Sequence, residues 1–125
     1  MELTKAEEKA MQILWSIKKG LIRDVVNGYE EPKPAYTTVA TIFKILENKG
    51  FVGRTPIGNS HEYFPLVKKK EYTHGFMKSF VKSYFSNSYK RMVSEFSNKE
   101  QMSTEEMEEI IKHLKSQIKE KKKKK

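Results

Sequence analysis

The spacing of apolar residues changes period once in the first 65 residues, at Gly50, and that change constrains the fold more than any other feature of the chain. Before Gly50, apolar residues recur at steps of three and four, the repeat of one helix face. Ala6, Ala10, Ile13, Leu14 and Ile17 make the first stripe, behind Thr4 and Glu7, whose spacing allows a reciprocal cap at a helix start. Gly20 is the expected stop. A shorter helix is expected from about Leu21 to Tyr29, ended by Glu30-Glu31-Pro32-Lys33-Pro34, where two prolines forbid helical continuation. A third spans about Ala35 to Lys49, with Gly50 as its stop.

After Gly50, Phe51-Val52-Gly53-Arg54-Thr55 and His61-Glu62-Tyr63-Phe64-Pro65 read as two short strands, with Pro56-Ile57-Gly58-Asn59-Ser60 as a hairpin loop. Three helices followed by a hairpin give the order of a winged helix-turn-helix. The alternating strands and helices of a nucleotide-binding βαβ unit are absent from the pattern.

From Lys68 onward the helical repeat returns. Phe76, Met77, Phe80, Val81, Tyr84 and Phe85 share one face, and Met92, Val93 and Phe96 extend the apolar supply. A last helix is expected after Ser103-Thr104-Glu105-Glu106, another capping box, carrying Met107, Ile110, Ile111, Leu114 and Ile118. About 50 residues of this kind hold too much apolar surface for a solvated arm and too little for an independent core. Pairing with a second copy solves both problems, and a two-fold dimer is the commonest form. The residues expected to make it are Phe76, Phe80, Val81, Tyr84, Met107, Ile110, Ile111 and Leu114. The fold class expected is therefore mostly α with a small β-hairpin: a winged helix-turn-helix domain over residues 1–68, a C-terminal helical dimerisation arm over 69–118 and a basic tail over 119–125.

The net charge of +9 suggests an anionic partner, and its distribution refines that. Residues 1–70 carry 12 Lys/Arg against 8 Asp/Glu, residues 71–118 carry 7 against 7, and residues 119–125 carry 6 against 1. Over half of the excess thus sits in the terminal lysine run, Lys121 to Lys125, which reads as a solvated end able to add non-specific phosphate binding.

The third helix points to the anion more sharply than net charge does. Val39, Ile42, Phe43 and Leu46 fall within a narrow arc, and Thr37, Thr41, Lys44 and Asn48 lie opposite. A solvated face normally mixes both signs, whereas this one is polar and nearly free of acid, with Glu47 pointing sideways. A helix in the major groove of DNA needs short polar groups near its N-terminus and a cation within reach of guanine or phosphate. Thr37, Thr38, Thr41 and Lys44 meet that need, with Asn48 further along, and the plainer reading of Thr37 is a helix cap. Arg54 and His61, near the tip of the hairpin, are expected to touch the phosphate backbone or minor groove, or in the case of Arg54 only to solubilise the turn.

Other function classes find less support. The three histidines, His61, His74 and His113, show no paired ligand spacing, and neither a phosphate-cradling glycine loop nor a serine elbow occurs. Glu105, Glu106, Glu108 and Glu109 suit the positive end of a helix rather than acid-base chemistry. No catalytic residue, metal or cofactor is expected. Zero cysteines rule out a disulfide framework, a thiolate zinc site and a thiol redox switch. Met1-Glu2-Leu3-Thr4 lacks the pattern of an export signal and no run approaches ~18 apolar residues, so a cytoplasmic protein is expected. The alternative function is a winged-helix protein-interaction module, for which the Thr37-Thr41-Lys44 face should be apolar or acidic.

Several runs resemble the penicillinase-repressor family: Leu3-Thr4-Lys5-Ala6-Glu7 with Ile13-Leu14-Trp15, then Tyr36-Thr37-Thr38-Val39-Ala40-Thr41, then Leu46-Glu47-Asn48-Lys49-Gly50-Phe51-Val52, then His61-Glu62-Tyr63. Their order and spacing match from Leu3 to about Leu114. The resemblance implies a homodimeric transcriptional repressor that occupies double-stranded operator DNA, a palindrome, until a membrane sensor triggers its proteolysis. In the resistance branch of that family the cleaved bond is Asn-Phe in the dimerisation arm; the matching bond here is Glu95-Phe96, with a different residue before the bond. The copper-responsive branch carries cysteines near its C-terminus, and their absence here excludes copper sensing by that route.

Overall fold

Thr4 Oγ1 accepts a hydrogen bond from the Glu7 N–H at 3.2 Å, and the Glu7 carboxylate accepts one from the Thr4 N–H at 3.0 Å. This closed capping box starts α1 (Lys5–Ile17) in a computed structural model that describes residues 2–98 and 101–124. Met1 and the last lysine of the expected tail, Lys125, lie outside the described residues. The stop is not Gly20. Lys18 turns the chain with a φ of 75°, its N–H donating to the Leu14 carbonyl at 2.7 Å. Gly20 instead exchanges two backbone hydrogen bonds with Tyr63, at 3.0 and 2.8 Å, and so extends the hairpin by one bridge.

The Asp24 carboxylate accepts the Leu21 N–H at 2.8 Å and opens α2 (Ile22–Asn27). The Lys33 ammonium then donates to the carbonyls of Asn27 and Tyr29, closing the end of α2 before the prolines. The next helix, α3 (Tyr36–Asn48), buries Val39, Phe43 and Leu46 completely, with Ile42 partly buried beside them. Gly50 follows with a φ of 81°, a left-handed conformation that a side chain would strain.

Strands β1 (Val52–Ile57) and β2 (Ser60–Pro65) pair antiparallel, with Arg54 opposite Tyr63, Pro56 opposite His61 and Ile57 opposite Ser60. The expected five-residue loop is thus reduced to Gly58-Asn59, because Pro56 and Ile57 stay in the ladder. A proline fits there because β1 has no strand paired along its outer edge. Phe43 meets the Tyr63 ring edge-on at 5.1 Å, which packs α3 against the base of the hairpin. Ala10, Met11, Leu14, Val25, Val39, Phe43, Leu46 and Val52 form the dry centre of this first unit.

Two compact units divide between Met77 and Lys78, inside α4 (Lys69–Tyr84) rather than at its start. The cause is Tyr72, whose ring lies 5.7 Å from Trp15 and 6.0 Å from Phe51 and whose hydroxyl donates to Glu8 at 2.9 Å. Trp15 Nε1 also donates to the Val67 carbonyl at 2.9 Å, so the first turns of α4 belong to the winged-helix unit.

The second unit holds the rest of α4, then α5 (Tyr89–Asn98) and α6 (Thr104–Lys123). Ser86 and Asn87 have positive φ and break the helix after Tyr84, the Asn87 N–H reaching back to the Val81 carbonyl at 3.0 Å. Ser103 caps α6 as its spacing from Glu106 predicts, accepting the Glu106 N–H at 3.1 Å. The helix continues past Ile118 into the basic tail as far as Lys123, where cations meet the negative end of the helix dipole. No described helix is long and apolar enough to cross a membrane.

Candidate nucleic-acid interface

Burial of Val39, Phe43 and Leu46 fixes which side of α3 faces outward. Thr37, Thr38, Thr41, Lys44 and Asn48 are all exposed, so one helix face brings five of the expected site residues together. Ala35, the residue before the helix, makes no side-chain cap, and Thr37 lies within the first turn without serving as one. The first amides of α3 are therefore open to an acceptor from outside, such as a phosphate oxygen. Thr41 Oγ1 donates to the Thr37 carbonyl at 2.9 Å, which holds its side chain against the helix.

Charge on this surface is organised by ion pairs. Glu47, the single carboxylate of α3, forms an ion pair with Arg54, whose Nε lies 3.1 Å from it. Lys49, at the end of α3, is drawn away from the outward face by Glu7, 2.6 Å from its ammonium. Lys44 has no ion-pair partner among the described residues and stands out into solvent. Its charge is available in full.

The hairpin residues separate. Arg54 sits in the middle of β1 opposite Tyr63, tied to α3, whereas His61 lies beside the turn, exposed and opposite Pro56. His61 shares a cleft of about 280 Å³ with Arg23, Tyr36, Ala40, Ser60 and Tyr63, between the start of α3 and the hairpin tip. Arg23 and Tyr36 were not singled out as site residues by sequence. The sequence signals available for them were a single basic residue in α2 and an aromatic at the start of α3, and Tyr36 is exposed in the structure. Together the cleft and the outward face of α3 offer donors to a polyanion and short side chains to base edges.

In the second unit, Ile110, Ile111 and Leu114 are exposed along α6, with Met107 half-buried and Ile118 continuing the row. The Phe80 ring meets Tyr84 in a tilted contact and Phe85 edge-on, with centroids 5.0 and 5.7 Å apart. Val81 is fully buried in the single chain, while Tyr84 is exposed. Phe76 belongs to the first unit, its ring 6.3 Å from Tyr72. Glu95 and Phe96 are both exposed and lie inside α5, a helix with no buried residue. Among the described residues no group of three or more His, Asp or Glu side chains is placed to hold a metal ion.

A family model described as penicillinase repressor matches residues 3–116. The methicillin resistance regulatory protein MecI of Staphylococcus aureus strain N315 is 26% identical over 110 residues, covering 87% of this chain and 89% of that protein. The MecI protein of Mammaliicoccus sciuri is 24% identical over the same length, with the same coverage. Among solved structures, a MarR family protein from Bacillus stearothermophilus superposes with a TM-score of 0.51 at 17% identity, covering 98% of this chain and 77% of that one. That likeness concerns the fold and agrees with a mostly helical chain carrying a two-stranded wing.

Proposed function

The chain belongs to the penicillinase repressor family, and we propose that, as a DNA-binding transcriptional repressor, it occupies a palindromic operator as a homodimer, with α3 in the major groove. The observation that carries the reading is the outward face of α3: Thr37, Thr38, Thr41, Lys44 and Asn48 exposed together, the one acid of the helix neutralised by Arg54. Arg54 orients the hairpin, and His61 and Arg23 flank the groove-facing helix as phosphate contacts.

Dimerisation rests on α6. Ile111 is 51% and Leu114 52% exposed on a 20-residue helix, and apolar side chains in one row gain free energy by pairing. Phe76, Phe80, Val81, Tyr84, Met107 and Ile110 are the further residues proposed to take part in pairing. Two copies place two α3 helices one or two turns of DNA apart, and the linked second contact raises avidity by about 10²-fold or more.

Relief of repression is proposed to follow cleavage in the arm by a membrane sensor-protease system at Glu95-Phe96. A protease needs an extended strand, so α5 must unwind locally, and a helix without buried residues does so at small cost. Cutting there would separate α6 from the reading head. Selection of bound fragments from a random duplex pool tests the proposal: enrichment of a two-fold symmetric site supports it, and recovery of the input distribution removes it.

A further inference from the structure

Thr38, Thr41 and Ile45 follow one another on α3 at steps of three and four, so they form a single row along the helix. Ile45 is 39% exposed and is not among the residues packed against the core. A lone exposed isoleucine is ordinary on a protein surface. One that continues a row of two threonines, beside Lys44 on the acid-poor face of a groove-reading helix, is placed where a base edge would meet it.

Chemistry narrows what that edge is. The Thr41 hydroxyl gives its proton to the Thr37 carbonyl at 2.9 Å, so its donor is used inside the helix and its methyl remains to offer. Ile45 lies seven residues beyond Thr38, about 10 Å at ~1.5 Å per residue, which is about three base-pair steps of ~3.4 Å. In the major groove the apolar group presented by a base pair is the C5-methyl of thymine.

We infer that Ile45, with the methyl groups of Thr38 and Thr41, forms an apolar strip on α3 that selects thymines in each half-site by their C5-methyl groups. This rests on the DNA-binding reading and adds the group that is discriminated. Lys44 supplies attraction without base choice, and the strip supplies choice without charge.

The probe is the duplex enriched by the full chain from a random pool, with each thymine replaced in turn by deoxyuridine, which lacks only that methyl. Fluorescence anisotropy is expected to show about fourfold weaker binding at one or more positions of each half-site, the equivalent of losing one buried methyl group. Ile45→Ala should weaken binding to the thymine duplex and bring the thymine-to-uracil ratio near unity at one of those positions, with the salt slope unchanged. A ratio of unity at every position for the unaltered chain overturns the inference while leaving DNA binding in place. So does discrimination retained in Ile45→Ala, Thr38→Ser and Thr41→Ser alike. Failure to enrich any duplex overturns the DNA-binding reading together with it.

Discussion

Arg54 Nε on β1 lies 3.1 Å from Glu47 Oε2 on α3, so the wing neutralises the one carboxylate of that helix. The pair is partly exposed and contributes less than about 1 kcal/mol to stability, which makes its role one of charge and orientation rather than folding.

Glu47→Gln should therefore leave folding nearly unchanged and strengthen duplex binding at low salt. With Arg54 released to a phosphate, the slope of log affinity against log salt should steepen by up to about 0.9. A slope and affinity equal to those of the unaltered chain would assign Arg54 no part in binding.

Lys44→Ala should weaken binding and flatten the same slope by about 0.9, the loss of one phosphate contact, with oligomeric state unchanged in sedimentation. Unchanged affinity in a titration would remove Lys44 from the interface.

The Glu7–Lys49 pair makes stability depend on pH. The hydrogen bond from Lys49 holds the Glu7 carboxyl below its ordinary value, with Thr4 adding to the effect and burial opposing it. Because the folded state prefers the ionised form, the contribution is complete above the ordinary value of 4.5 and is lost as pH falls through the lowered one. Lys49→Met leaves a buried carboxylate without its cation and should cost about 1–3 kcal/mol at pH 7 in urea denaturation. That difference should shrink on acidification below the ordinary carboxylate range, and a constant difference would contradict the assignment.

Two tyrosines should respond with opposite signs. The Tyr72 hydroxyl donates to Glu8, and burial, reinforced by that carboxylate, pushes its phenol up to about 12. Tyr72→Phe should destabilise by about 1 kcal/mol, a contribution otherwise kept below pH 10 and lost as pH rises through about 12. The Tyr29 hydroxyl is buried with no hydrogen-bond partner among the described residues, and burial raises its phenol as well. Tyr29→Phe removes an unsatisfied group and should be neutral or stabilising by up to about 1 kcal/mol. Equal losses from both substitutions would refute this contrast.

Ile111→Glu should favour monomers, since pairing would bury an uncompensated carboxylate at a cost of several kcal/mol. The same dimer population in sedimentation velocity would exclude α6 as the interface.

Local rules carried much of this fold. Thr4 with Glu7, and Ser103 with Glu106, cap their helices as their spacing requires, and Val39, Phe43 and Leu46 turn the polar face of α3 outward. What was hidden depends on residues far apart in the chain. Gly20 looked like a helix stop because its partner, Tyr63, belongs to a strand that periodicity cannot connect to it. Tyr72 looked like part of the arm, yet its contacts with Trp15, Phe51 and Glu8 draw the start of α4 into the first unit. Arg23 and Tyr36 acquire meaning only when the hairpin tip brings His61 into the same cleft. Ile45 carries no polar signal in the sequence, and only the structure shows it exposed on α3.

A hydroxyl-radical footprint on the selected duplex tests most directly whether paired winged helices dock on one face of DNA. Two protected patches, related by two-fold symmetry and separated by about one or two helical turns of ~10 base pairs, are predicted. A single patch, or uniform cleavage at saturating protein, would contradict the account.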